Sequence, residues 1–175
     1  MKAFVYNGDK KLSIEDRPIP KIQKNEALMK VSVASICGTD LRTFRFGNSG
    51  IPANRITGHE AGGELVELGG GIKGFSLGDT VTVAPAVGCG ECPSCRRGKT
   101  NMCDNLKTIG FEYDGIFAEY LKIPSQAFIM GNVIKLDNNF PLKEATLAEP
   151  VACCINGQSF LKPDREEDRK STRLN

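Results

Sequence analysis

With 175 residues the chain is long enough for one domain with a sizeable core and short for two. Apolar residues make up 40% and charged residues 25%, an ordinary globular balance, and a net charge of +2 is too small to argue for nucleic acid or an anionic membrane as a partner. Met1 to Asp9 holds no apolar run of signal-peptide length, and no stretch approaches the roughly 20 apolar residues of a membrane span, so a cytoplasmic location is expected.

The first elements read as strands joined by turns. Ala3 to Tyr6 predicts a short strand ended by Asn7-Gly8, with Leu12 to Glu15 pairing back on it; Pro18 and Pro20 then break regular structure. From Ala27 to Ile36, Met29, Val31 and Val33 alternate with Lys30, Ser32 and Ala34 at the two-residue period of a half-buried strand, which runs straight into Cys37. Leu41 to Phe46 predicts a short helix capped by Asp40 or Thr39. Beyond a loop, Ile56 to Gly63 leads into a strand from Glu64 to Leu68, and Thr80 to Ala84 alternates as another strand that enters a cysteine-rich stretch.

That stretch carries Cys89, Cys92, Cys95 and Cys103 in the pattern Cys-x2-Cys-x2-Cys-x7-Cys. In a reducing compartment the pattern reads as a metal site before it reads as disulfides. Four thiolates satisfy a tetrahedral zinc ion completely and leave no position for substrate, which makes the site structural. Gly88, Gly90 and Gly98 let the backbone turn around the ion, and Pro93 stiffens the knuckle. An iron–sulfur cluster fits less well, since its bacterial run ends Cys-x3-Cys-Pro and here the last gap is seven residues with no proline after Cys103. Arg96, Arg97 and Lys99 would suit a nucleic-acid-binding ribbon, but three cations on an exposed loop are more often simply solvated.

Gly115 to Ile123 and Ala127 to Ile134 predict two more strands, separated by Pro124-Ser125. The inventory is a mainly β, barrel-like domain with an inserted metal lobe and few helices. A helical pattern comes late: Pro141 suits a first helical position, and Leu142, Ala145 and Ala148 share a face. Pro150 is expected to interrupt the helix after Glu149, with a second helix over Val151 to Leu161, where Cys153 and Cys154 are expected to pack as small residues. One of those two thiols as an alternative metal ligand is the sharper reading. From Lys162 on, Leu174 is the one large apolar residue, so 162–175 is expected to be a disordered tail.

His59, the single histidine, lies in Gly58-His59-Glu60. If the strand ending at Cys37, the strand beginning at His59-Glu60 and the helix break at Glu149 converge, a thiolate, an imidazole and a carboxylate can hold a zinc ion with an open fourth position. Spacing alone does not show that convergence. The residues do resemble a family at this point. Gly58-His59-Glu60-x2-Gly63-x5-Gly69-x2-Ile72 is similar to the zinc signature of medium-chain, zinc-dependent alcohol dehydrogenases, and Cys37-Gly-Thr-Asp40, Gly78-Asp79-x-Val81, the four-cysteine lobe and Glu149-Pro150 follow in that family's order. The Glu-Pro pair resembles the sorbitol and threonine dehydrogenase-like members.

The resemblance implies a GroES-like, partly open β-barrel with a few short helices and an inserted structural-zinc lobe at about 88–104. It covers residues 1–161 as the catalytic domain. It implies Cys37, His59 and Glu149 as catalytic-zinc positions, with Glu149 direct or acting through water, and Glu60 beside the metal. Thr39 would accept the alcohol's proton, and Cys89, Cys92, Cys95 and Cys103 would hold the structural zinc. The implied reaction is hydride transfer from an alcohol or polyol to NAD or NADP, in an enzyme that is usually a homo-oligomer. Where many members continue the proton relay with histidine this chain has Arg42, which stays protonated and could instead lie near a cofactor phosphate. No Gly-x-Gly-x-x-Gly turn follows Leu161, so the Rossmann domain is expected to be absent, the tail non-native and the chain by itself inactive. The alternative is a stand-alone GroES-like zinc-binding or interaction module.

Overall fold

The computed structural model describes residues 1–137 and 139–161; the expected tail at 162–175 lies outside the described residues. β1 (Lys2–Tyr6) and β2 (Leu12–Asp16) form the expected hairpin, with Lys2 opposite Asp16 and Tyr6 opposite Leu12. The main sheet adds β3 (Ala27–Ser35), and the short strand β4 (Arg55–Ile56) joins the free edge of β1. β5 (Glu60–Leu68), β6 (Thr80–Val83), β9 (Tyr120–Ile123) and β10 (Val133–Lys135) complete an antiparallel sheet of order β10-β6-β5-β3-β9. The ladder β7 (Ala86–Val87) and β8 (Lys107–Thr108) is a separate two-stranded sheet, with Val87 buried in the same apolar cluster as the main sheet.

Alternation explains the main sheet. Met29, Leu65, Val81, Leu121 and Ile123 are fully buried and form one apolar cluster. The two larger sheets are stitched together where Phe4 N donates to Phe117 O at 2.7 Å and Gly115 N donates to Ile56 O at 2.8 Å. With β9 and β10 at its edges the sheet does not close into a ring, so the architecture is the expected mainly β, partly open one.

Short helices punctuate the strands: α1 (Gly38–Phe46), α2 (Pro93–Arg96), α3 (Ser125–Ile129), α4 (Leu142–Ala145) and α5 (Ala148–Ser159). α3 corrects the strand expected from Ala127 to Ile134, of which β10 alone remains. Four apolar residues, Ala127 to Met130, fit a helical period as well as a strand. The helix wins because Ala127 buries itself while Phe128 meets the edge of Phe75 at 5.3 Å, and Gly131, at φ +72°, ends the turn. A second correction concerns Pro150. It sits inside the first turn of α5, where its missing N–H has no intrahelical partner in any case, and the break falls earlier, at Thr146-Leu147.

β3 and β5 run together over nearly their whole lengths, from Ala27 opposite Leu68 to Ser35 opposite Glu60. Gly63 permits this approach: a Cβ there would lie 2.2 Å from the Lys30 carbonyl oxygen and 2.9 Å from Met29 Cγ. Gly63→Ala is therefore expected to destabilise the fold by about 1–3 kcal/mol or more through overpacking. Urea unfolding reads this as a lower midpoint, and an unchanged midpoint would mean that the two strands separate freely. On the other side, Leu142 and Ala145 of α4 pack over Gly62, whose added Cβ would lie 3.0 Å and 3.1 Å from them. Among the described residues, no helix is long and apolar enough to cross a membrane.

Candidate metal centres

The β7–β8 ladder, with Ala86 opposite Thr108, closes the base of the cysteine lobe. Gln126 on α3 ties it to the main body, its side-chain amide donating to Gly88 O at 3.3 Å and Cys89 O at 3.1 Å. Inside the lobe, Pro93 opens α2 behind Cys92, the N-cap, whose sulfur accepts from Cys95 N at 3.5 Å. Gly88 is needed for close approach, since a Cβ there would lie 2.9 Å from Cys95 Sγ. The sulfurs of Cys89, Cys92, Cys95 and Cys103 all come within 4.8 Å of one another, and none of the chain's cysteines is in a disulfide.

The donor set fits a tetrahedral dication. An ion bound by four sulfurs at about 2.3 Å spaces them by about 3.8 Å, within the observed limit. Backbone N–H groups already point at the sulfurs: Cys89 N and Asn105 N donate to Cys103 Sγ at 3.2 Å and 3.3 Å, and Cys92 N donates to Cys89 Sγ at 3.4 Å. Such donors favour thiolates. They draw Cys92 down to about 6, chiefly through the N–H of Cys95. Burial instead pushes Cys95 up to about 12, so its charged form needs a cation beside it.

The second cluster is produced by strand register. Antiparallel pairing sets the last residue of β3, Ser35, opposite the first residue of β5, Glu60. The chain just beyond β3 therefore meets the chain just before β5, and Cys37 meets His59. Cys37, His59 and Glu60 each offer a ligand atom within 4.8 Å of the other two. A thiolate, an imidazole and a carboxylate would supply three of the four ligands of a tetrahedral ion, a donor set suited to a catalytic zinc. Cys37 is also the N-cap of α1, and its N–H donates to Asp40 Oδ2 at 2.9 Å. This corrects the expected cap: Asp40 stands at the third helical position and reaches back, as the acidic residue of a capping box does. Burial raises the Asp40 carboxyl pKa against the lowering pull of the Cys37 N–H and of His59, and Glu60 raises it further.

A cavity of about 480 Å³ opens beside His59 and Glu60 and is also lined by Glu149, Cys153 and Asn156 of α5. Glu149 shares this wall, and its carboxylate accepts from the Cys153 thiol at 3.3 Å. Cys153 and Cys154 are both exposed, not packed as the sequence suggested, because α5 buries none of its residues. Thr39 is half-buried in the first turn of α1, and Arg42 is exposed one turn further on. Sequence reasoning missed Ser35, whose hydroxyl donates to Glu60 Oε2. Only the β3–β5 register reveals that contact.

A family model described as the alcohol dehydrogenase GroES-like domain matches residues 23–135. The chain belongs to this family. L-threonine 3-dehydrogenase of Pyrococcus horikoshii is 40% identical to it over 141 residues, 79% of this chain and 39% of that protein. Sorbitol dehydrogenase of Bacillus subtilis is 34% identical over 166 residues, 93% of this chain and 46% of that protein. A short chain alcohol dehydrogenase of Escherichia coli CFT073, solved in complex with NADH, has a TM-score of 0.79 at 33% identity and covers 90% of this chain and 45% of its own. This GroES-like chain thus spans less than half the length of these relatives.

Proposed function

We propose that this domain, residues 1–161, is the metal- and alcohol-binding part of a zinc-dependent alcohol or polyol dehydrogenase that passes hydride to NAD or NADP. The observation that carries this reading is the meeting of Cys37, His59 and Glu60 within 4.8 Å beside a cavity of substrate size. Relatives named as threonine and sorbitol dehydrogenases, and one alcohol dehydrogenase complexed with NADH, support the reaction class.

A zinc ion held by Cys37 and His59, with Glu60 and Glu149 as acidic neighbours, would supply the Lewis acidity that makes an alcohol hydroxyl easier to deprotonate. Thr39 Oγ1 accepts the alcohol's proton as it gives up its own hydroxyl proton to water, so it relays the proton and does not store it. The carboxylates of Glu60 and Glu149 set the negative charge around the site, Glu149 directly or through water. Arg42 keeps its charge and cannot carry the proton onward; its exposed guanidinium serves a cofactor phosphate instead. Cys89, Cys92, Cys95 and Cys103 hold a second, structural zinc and offer nothing to substrate.

Assaying the whole protein with NAD and NADP against a panel of alcohols and polyols, including threonine and sorbitol, tests the reading. Cofactor reduction is expected with at least one substrate, lost on chelation and restored by zinc. Zinc-loaded protein that reduces neither cofactor across the panel would overturn it and favour a binding module.

A further inference from the structure

We propose that Ser35 is a positioning residue for Glu60, and through it for the metal at Cys37 and His59; this rests on the metal reading above. Ser35 ends β3 and Glu60 begins β5, and the two are direct cross-strand partners. Opposite residues of an antiparallel pair project from the same face with their Cβ atoms about 4.5–5.5 Å apart, so the two side chains are held together by the ladder itself. The hydroxyl of Ser35 donates to Glu60 Oε2.

That bond matters because of where Glu60 sits. It is only 7% exposed, and a buried carboxylate needs donors. With one oxygen engaged by Ser35, the carboxylate is fixed in rotation while it stands within 4.8 Å of the ligand atoms of Cys37 and His59. Cys37 lies two residues beyond Ser35 on the same strand exit, so a single backbone path delivers one ligand and the residue that orients another. Outer partners of this kind fix the orientation of metal ligands, and their loss typically lowers metal affinity about 10–100-fold.

The test is a Co²⁺ titration of the whole zinc-free protein, following the thiolate–cobalt absorption, with Cys37→Ser as the blank for the four-cysteine lobe. Ser35→Ala should raise the Kd of the Cys37-dependent site about 10–100-fold and change its bands, with the lobe signal intact as proof of folding. Ser35→Thr, which keeps the hydroxyl, should restore the wild-type Kd. In a Glu60→Gln background, Ser35→Ala should change nothing further. A Ser35→Ala site that binds Co²⁺ like wild type overturns the assignment, and so does an equal loss in the Glu60→Gln background, a comparison that holds even if Ser35→Ala is less stable. A wild-type protein with no Cys37-dependent cobalt signal removes the metal reading itself, and this inference with it.

Discussion

Changing Cys95 to Ser is expected to cost the protein one zinc ion and the folded state of its lobe at about 88–104, while the five-stranded sheet survives. Cys95 is the most enclosed of the four thiols, 8% exposed, and its sulfur lies under Gly88. Little else holds the lobe together. α2 spans four residues and the neighbouring 3-10 turn, Thr100–Met102, three. Helices this short do not persist on their own. Structural zinc in small zinc-finger peptides contributes about 10–16 kcal/mol, far more than such turns can replace. The damage should stay local, because the lobe meets the rest of the chain over a narrow neck: the two-residue β7–β8 ladder, the Gln126 amide and Met130 against Gly90. Amide exchange checks this directly: protection should vanish between Gly88 and Leu106 and persist in β3, β5 and β6. Retained protection in the lobe of Cys95→Ser would show that packing, not the ion, folds it.

Replacing His59 by Ala should have the opposite profile. The whole protein should lose about 10³-fold in kcat/KM, since Lewis-acid stabilisation supplies several kcal/mol and about 1.4 kcal/mol is a factor of ten. Its fold should hold. His59 is half-buried, at the junction already closed by the β3–β5 ladder, and a truncation there is expected to cost about 1 kcal/mol. In a chain of this size that moves Tm by about 2–4 °C. Calorimetry and steady-state rates together check the claim; equal falls in Tm for His59→Ala and Cys95→Ser would contradict the division of roles.

The parts of the structure legible in the sequence are those whose signal is local. Alternation in Met29, Val31 and Val33 marks β3 because one face of that strand lies on the core, and four cysteines at fixed spacing mark the lobe because a closed ion needs them nearby. The errors come where a local pattern has two solutions. The run Ala127 to Met130 is too short to choose between periods, and contact with Phe75 decides for the helix. Pro150 looks like a breaker until the helix is seen to begin at Ala148, which places it in the tolerated first turn. Cys153 and Cys154 look like packing residues, yet nothing in the described structure covers α5. The meeting of Cys37 with His59 and the Ser35–Glu60 contact depend on register between strands 25 residues apart in sequence, which no local window contains. The family resemblance anticipated the first. It carried no sign of the second.

Two separate ions are proposed, a closed one at Cys89, Cys92, Cys95 and Cys103 that supports the lobe and an open one at Cys37 and His59 that serves the chemistry. Metal analysis of the purified whole protein addresses it most directly. Wild type should carry two zinc ions per chain, and Cys95→Ser and His59→Ala one each. Loss of both ions from Cys95→Ser alone would contradict it.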